Sequence, residues 1–202
     1  MEIQGQVGPQ ISADGTRPTI RCCANGEQAV SQFLGRYGEA TARKQVFGVC
    51  NQGGVTHSAA LTTTFVGICV GNPVYSTVNL HILNYSWATS VALAAQAVFG
   101  IMTGIGTITA ALTPRNQFVS GSAGQGIATG GMTLPGTPVL ERVFSSPGTL
   151  AVTSYNPNGP HVYCVDGSIV LPPGTFAASY MSTASGASGF WGSFTWMEVP
   201  IP

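Results

Sequence analysis

Short alternating segments separated by Gly- and Pro-rich turns run from residue 45 to the end of the chain, and they constrain its fold most. The clearest of them is 190–199, where Phe190, Phe194 and Trp196 fall on one face. A period of two marks a strand, because successive side chains point to opposite faces of a sheet. Trp191 falls on the other face, so we expect this strand to be buried on both sides, against the core and against something else.

The pattern predicts about nine or ten strands and no helix in this body, which two antiparallel sheets packed face to face accommodate. A jelly roll is the commonest closed arrangement of about eight such strands. The alanines of 91–102 suit a helix, but apolar residues recur at every second position from Val91 to Ile101, which favours a strand. Residues 113–138 are rich in Gly and Pro and predict a long loop. The predicted strands are 45–51, 64–70, 74–87, 91–102, 105–112, 139–145, 149–155, 168–171, 176–183 and 190–199.

The distribution of charge changes at the start of this body. Nine of the 14 charged residues lie between Glu2 and Lys44, and turn dipeptides such as Asp14-Gly15 interrupt that segment. A segment of this kind buries too little surface to order itself without a partner. We therefore predict an extended N-terminal docking arm at 1–44, with short extended stretches at 19–23 and 29–34, and a β-sandwich body at 45–202. A disordered tail is the alternative interpretation of the arm.

The composition favours a protein whose surface is covered by other proteins. Charged residues make up 7% of the chain and the net charge is zero, whereas roughly 25% of residues are charged in a typical soluble protein. The five basic residues of the arm are offset by four acidic ones. Nucleic-acid binding requires a dense Lys/Arg face, so we expect no nucleic-acid partner.

The cysteines and the N-terminal sequence bear on where the protein is made. The five cysteines are odd in number, Cys22 and Cys23 are adjacent, and no pair has zinc spacing. Free thiols made in a reducing cytoplasm are therefore favoured over a disulfide framework. The N-terminus lacks the pattern of a signal peptide. The longest apolar run, 91–102, is shorter than the about 20 residues that span a membrane, so we expect no membrane partner.

Groups suited to catalysis are sparse in this sequence. His161 and Asp166 are the pair that suggests a Ser–His–Asp triad, but no nucleophile elbow accompanies them. Glu141 and Glu198 have no spacing that selects them for glycoside hydrolysis. We expect no catalytic residue, no metal site and no cofactor. Packing in the core or at an interface is favoured over stacking on sugars for the three tryptophans, Trp87, Trp191 and Trp196.

The junction between the arm and the body carries the best candidates for contact with a partner. We expect Arg36, Arg43 and Lys44 to face an acidic partner surface, while Tyr37 attaches the junction to the body. An ordinary solvated junction is the alternative. The predicted docking residues are Arg17, Ile20, Arg21, Phe33, Leu34, Arg36, Tyr37, Arg43 and Lys44.

Several runs of residues resemble those of a known family. The N-terminal runs are DGTRP at 14–18, GRYGEA at 35–40 and NQGGVT at 51–56. The C-terminal runs are LPPG at 171–174, ASGASG at 184–189 and FTWMEVP at 194–200. Together they resemble small virion proteins of tailed bacteriophages. The doublet Cys22-Cys23 and the alanine-rich stretch at 91–102 have no counterpart in that pattern.

The resemblance implies a capsid decoration (cement) protein with a jelly-roll body and an extended N-terminal arm. Such a protein is made in the host cytoplasm and binds the outer surface of the major capsid protein lattice as a homo-oligomer, a dimer or trimer. The resemblance implies no catalytic residue. The alternatives are a tail, fibre or receptor-binding virion module, a small jelly-roll capsid protein that builds the shell itself, and a secreted lectin or glycan hydrolase.

Overall fold

The computed structural model describes residues 35–91, 93, 97–145, 161–187 and 189–201. Ten strands and one helix, α1 (Gly38–Ala42), make up the regular structure of these residues. No helix among them is long and apolar enough to cross a membrane. The strands are β1 (Val46–Cys50), β2 (Thr64–Asn72), β3 (Val78–Thr89), β4 (Phe99–Ile105), β5 (Arg115–Asn116), β6 (Ile127–Thr133), β7 (Val139–Ser145), β8 (His161–Leu171), β9 (Thr175–Met181) and β10 (Phe190–Pro200).

The strands form two five-stranded antiparallel sheets. The first sheet has the order β5-β1-β10-β3-β8 and the second has the order β6-β2-β9-β4-β7. Without β5 and β6, each sheet has four strands. Consecutive strands among these eight lie in opposite sheets, except that β4 and β7 lie in the same sheet. This is a jelly-roll-like β-sandwich, so the predicted fold class is confirmed.

Aromatic side chains from both sheets fill the space between them. Trp87 of β3 stacks on Phe99 of β4 with ring centroids 3.6 Å apart, which joins the first sheet to the second. Phe194 lies 4.8 Å from Tyr85 on the neighbouring strand, and Trp196 is fully buried. Burial of each large apolar side chain contributes about 1.5–3 kcal/mol. The packing predicted for the tryptophans is confirmed for Trp87 and Trp196.

The described residues cover only the inward face of β10, so burial of its outward face against another surface stays a prediction. Its inward residues are buried, but Trp191 on the outward face is 40% exposed. An aromatic side chain reaches the surface here because the groups beside it are small and leave a groove. The alternation of apolar residues identified the strand but not the covering of its second face.

Two predictions about strands are wrong, both in the segment between β4 and β7. Residues 105–112 do not continue as a strand, because Gly106 adopts φ +127, and a Cβ at this position would lie 2.4 Å from Cγ of Pro135. Residues 113–138 are not one long loop, since they contain β5 and β6. Local sequence favours a loop there, but pairing of β6 with β2 imposes the extended conformation.

Strand β8 also begins earlier than predicted. The sequence Asp166-Gly167 suggests a turn, but both residues lie inside β8 with φ of 54 and 77. The pairing of β8 with β3 shifts register around them, so they form a bulge rather than an end. The short helix α1 was also not predicted, because five residues are too few for a helical period. The predicted strand at 149–155 lies outside the described residues, as do 92 and 94–96 of the strand predicted at 91–102.

One lateral edge of the sandwich is closed by the chain itself. The backbone N–H groups of Ala111 and Leu112 donate to Ala128 O of β6 at 2.8 and 2.9 Å. A few residues later, Arg115 pairs with Gly48 of β1. Residues 111–116 therefore cross from the second sheet to the first, and we call β5, β6 and this crossing the closed edge.

The opposite lateral edge is formed by β7 and β8, and we call these two strands the open edge. Within the described part of the chain, each pairs with a strand on one side only. Valines on both strands are exposed, including Val143 at 58% and Val162 at 60%. A long edge strand with exposed apolar side chains is a surface on which another strand can pair.

Candidate functional site

The residues that join the arm to the body are attached to the open edge by one carboxylate. Arg36 Nη1 lies 2.7 Å from Asp166 Oδ2, and the Tyr37 hydroxyl donates to Asp166 Oδ1. Asp166 lies in the bulge of β8, whose left-handed backbone is uncommon for a residue other than glycine. Partial burial and the Asp166 carboxylate raise the pKa of Tyr37 to about 12, so its proton is retained at neutral pH.

The other end of the junction meets the closed edge. Lys44 has a left-handed backbone with φ 62, and its carbonyl accepts a 2.8 Å hydrogen bond from Asn116 Nδ2 of β5. Its Nζ lies 5.3 Å from the centroid of the Phe118 ring. Within α1, Arg43 Nη2 lies 2.8 Å from Glu39 Oε1, one helical turn away. Residues 36–44 therefore extend from β8, at one edge of the first sheet, to β5, at its other edge.

Four predicted docking residues, Arg36, Tyr37, Arg43 and Lys44, are brought together in this junction. Each has a partner within the chain, yet the side chains of Arg36 and Arg43 remain 64% and 43% exposed. Their contact with another protein stays a prediction. The other five docking residues, Arg17, Ile20, Arg21, Phe33 and Leu34, lie outside the described residues.

Sequence reasoning missed the role of Asp166. Its proximity to His161 suggested a triad, but the carboxylate is engaged by Tyr37 and Arg36. The His161 ring instead stacks on Trp87 with centroids 4.2 Å apart. The only signal for Asp166 was that it is one of very few acidic residues in the body, next to a glycine that permits a bulge.

A second histidine forms a buried hydrogen-bonded pair that the sequence did not indicate. His57 Nδ1 lies 2.6 Å from Ser58 O, and Nε2 lies 2.7 Å from Ser179 Oγ. Because a carbonyl only accepts, Nδ1 carries the proton and Nε2 accepts from the Ser179 hydroxyl. That hydroxyl in turn accepts from the N–H of Ile68 at 3.0 Å.

The His57–Ser179 pair is closed to solvent. The two residues are 1% and 0% exposed, and the imidazole contacts the rings of Phe65 and Phe190. Burial lowers the pKa of His57 to about 4, so the ring is neutral at pH 7. The arrangement holds β2 and β9 together through neutral hydrogen bonds, and it offers a substrate no approach to the serine.

Glu198 is the buried charged residue of the described chain, and it holds the loop of the closed edge. Its Oε1 accepts from the N–H groups of Gln125 and Gly126, both at 2.8 Å, and Oε2 accepts from Gln125 N–H at 3.0 Å. The indole N–H of Trp196 lies 3.4 Å from Oε1. The carboxylate therefore satisfies backbone donors where the chain enters β6.

A groove lies on the outer face of the first sheet. One part, of about 350 Å³, is bordered by Trp191, Ser86 and Ser193. It adjoins a part of about 570 Å³ that extends to Arg115. Neither part of the groove is bordered by an aspartate or a glutamate. Among the described residues, no group of three or more His, Cys, Asp or Glu side chains is placed to hold a metal ion.

The chain matches no protein-family model, no curated protein and no solved structure. Inferences about its function therefore rest on the geometry and chemistry of its own residues.

Proposed function

We propose that this chain is a virion structural protein that binds the outer surface of a major capsid protein lattice and stabilises the head. In this proposal the body associates with copies of itself, and the N-terminal arm contacts the capsid protein. The protein is made in the host cytoplasm and acts on the exterior of the virion. Binding across subunit boundaries stabilises a shell by mass action, because the bound protein favours the assembled state.

The surface composition of the body is the observation that supports the proposal most. Of the five charged residues after Lys44, Glu198 is buried and Asp166 is paired with Arg36. Thirteen large hydrophobic side chains of the described body are exposed, among them Tyr75 at 94%. A protein that stays dispersed alone normally has a charge-rich surface, whereas the buried centres of protein interfaces are depleted in charge.

The experiment adds the purified full-length chain to expanded phage heads that lack a decoration protein and measures cosedimentation and resistance of the heads to heat. We expect saturable binding and a higher temperature of head disruption. A variant without residues 1–34 keeps Gly35 and the contacts between the junction and the body. Binding by this variant equal to that of the full chain would contradict a docking arm.

A charge-swapped pair tests the junction without removing its internal ion pair. Glu39→Arg combined with Arg43→Glu keeps the two charges one turn apart but exchanges their positions. If Arg43 faces an acidic surface, the double variant binds at least about tenfold more weakly at physiological salt, which corresponds to about 1.4 kcal/mol. Unchanged binding would indicate an ordinary solvated junction.

A shell-building capsid protein is the second candidate, and the strand order favours it as well. The arrangement of four strands per sheet in a jelly roll is shared by many proteins that tile closed shells. Light scattering and electron microscopy of the isolated chain separate the two candidates. Closed particles formed by the chain alone support a shell protein, whereas a dimer or trimer supports decoration. A monomer at high concentration that also fails to bind heads would overturn both.

A further inference from the structure

The groove on the outer face of the first sheet has a floor of small side chains. Ser193 of β10 lies opposite Ser86 of β3 and Cys50 of β1, and the two serine hydroxyls are 2.5 Å apart. On β1, a Cβ at Gly48 would lie 2.5 Å from Gln117 Nε2, so the missing side chain leaves room for this amide. Because β1, β10 and β3 each pair on both sides, the floor offers a ligand side-chain groups rather than a strand edge.

Trp191 borders this groove with an aromatic ring that solvent reaches. Trp87 and Trp196, the other two tryptophans of the chain, are buried, whereas Trp191 is 40% exposed. Its indole N–H donates to Ser90 Oγ at 3.3 Å, which helps to hold the ring in place. A ring that is already held loses little freedom when a ligand stacks on it. The negative face of an indole attracts the positively polarised C–H groups on the apolar face of a sugar ring.

Arg115 supplies the charge of the groove, at the end opposite Trp191. It is exposed, it borders the larger part of the groove, and it has no ion-pair partner among the residues that the structure describes. Arg115 lies opposite Gly48, which lies opposite Thr195, four residues along β10 from Trp191. Spacings of about 4.8 Å between strands and about 3.4 Å along a strand place the Cα atoms of Arg115 and Trp191 roughly 17 Å apart. A ligand that contacts both side chains is therefore elongated.

We propose that this groove binds an acidic oligosaccharide, with one sugar ring stacked on Trp191 and the carboxylate of another sugar paired with Arg115. Between these ends, the Ser193 hydroxyl and the Gln117 amide are groups that both donate and accept hydrogen bonds, as sugar hydroxyls do. No aspartate or glutamate borders the groove to repel a sugar carboxylate. A nucleic acid needs more than one cation, and an extended peptide pairs with the edge of a sheet rather than its face.

Tryptophan fluorescence tests the proposal, because Trp191 is the exposed tryptophan of the chain. The full-length protein is titrated with oligosaccharides of galacturonate, hyaluronan and sialic acid, and with neutral chitin oligosaccharides of the same length. Quenching by acrylamide and isothermal titration calorimetry are recorded for each. We expect at least one acidic probe to protect Trp191 from acrylamide saturably, with a Kd of 1 mM or below, on the order of −4 kcal/mol or stronger. The chitin oligosaccharides should bind about fivefold more weakly, since an exposed ion pair contributes modestly.

Two pairs of variants separate the groove from the rest of the surface. Trp191→Ala should raise the Kd of the acidic probe about tenfold. Tyr75→Ala, which removes an aromatic side chain that is 94% exposed outside the groove, should leave it unchanged. Arg115→Gln should raise the Kd about fivefold and make binding less sensitive to salt. Its control is Arg142→Gln, on β7 of the second sheet.

Several results would overturn the proposal. They are no saturable binding of any acidic probe at about 10 mM, equal binding of the acidic and neutral probes, and equal effects of Trp191→Ala and Tyr75→Ala. Quenching of the free protein that is unchanged by Trp191→Ala would show that another part of the chain covers the groove. Quenching that falls as the protein concentration rises would assign the groove to a second copy, and either result overturns the proposal as well. No capsid takes part, so the outcome is independent of whether the protein decorates heads.

Discussion

The two lateral edges of the sandwich differ in how their backbone groups are satisfied. At the closed edge, residues 111–116 bond to Ala128 and Gly48 on the two sheets, and Glu198 accepts from two N–H groups of the following loop. At the open edge, Arg36 and Tyr37 of the junction are attached to β8 through the Asp166 carboxylate. An edge occupied by its own chain cannot accept a partner, whereas an unpaired edge strand can.

This difference shows what the segment between β4 and β7, which contains β5 and β6 and which we call the insertion, contributes. Eight strands suffice for the sandwich, and the two additional strands extend both sheets on the same side. The insertion therefore restricts new strand pairing to the other side, where the arm joins. Substitutions that affect one edge and not the other test this division.

The largest effect is expected from Glu198→Ala at the closed edge. The change leaves the N–H groups of Gln125 and Gly126 without their acceptor, at about 1–3 kcal/mol for each buried donor, so we expect a loss of about 4 kcal/mol. Urea unfolding measures it as a lower midpoint with an unchanged slope. Glu198→Gln keeps one acceptor oxygen and should lose less than half as much. Equal stability of the alanine variant and the wild type would mean that the carboxylate does not hold this edge.

The core between the two edges should respond to pH through His57. The pKa is about 4 when folded and 6.5 when unfolded, so between these values the unfolded state binds the proton first. The difference in pKa therefore costs no stability above pH 6.5. As the pH falls from 6.5 to 4, the free energy of unfolding should decrease by about 3 kcal/mol. Urea unfolding at pH 7.5, 5.5 and 4 measures the loss. His57→Gln should show a shallower pH dependence, and identical slopes would contradict the prediction.

A smaller effect is expected at the attachment of the junction to the open edge. Asp166→Asn removes the negative charge that faces Tyr37, so the pKa of Tyr37 should fall from about 12 toward its usual 10. The fall is incomplete because burial, the larger cause, remains. At pH 11 about one tenth of Tyr37 is ionised in the wild type, and more should be ionised in the variant. Nuclear magnetic resonance of labelled tyrosine rings reports this fraction.

Glu39→Gln is the control for that measurement. It breaks the other ion pair of the junction, with Arg43, but does not alter the carboxylate beside Tyr37. Amide hydrogen exchange at 35–44 should rise by about fivefold in Asp166→Asn, since the lost contact contributes about 1 kcal/mol. The same Tyr37 titration in Asp166→Asn as in Glu39→Gln would show that Asp166 does not hold the junction.

The smallest effect on stability is expected at the open edge itself. Val143→Lys replaces a side chain that is 58% exposed, so its stability should change by no more than about 0.5 kcal/mol. A lysine on an edge strand opposes pairing with another strand, so self-association should weaken. Val119→Lys, at a position 87% exposed beside the closed edge, should leave self-association unchanged. Sedimentation velocity compares the two, and equal weakening would show that association does not depend on the open edge.

The sequence by itself determined the fold class and the strands whose pattern is local. The alternation in Val78–Thr89 and Phe190–Pro200 follows from one buried face on each strand, so it can be seen without knowing the partner strand. Val46–Cys50 and Thr64–Asn72 are buried on both faces, and their short apolar runs identified them. The concentration of charge before residue 45 was likewise evident from composition. These predictions needed only residues close in sequence, although local pattern also predicted a strand at 105–112 and a loop at 113–138 that the fold does not contain.

Tertiary structure alone decided the closed edge, the bulge of β8 and the buried polar contacts. Strand β6 contains Gly130 and Gly131, and its conformation depends on pairing with β2 rather than on its own residues. Tyr37 and Asp166 are 129 residues apart, and His57 and Ser179 are 122 apart. A carboxylate or imidazole has no periodicity that reveals its partner, because its role depends on which groups the folded chain brings within hydrogen-bonding distance.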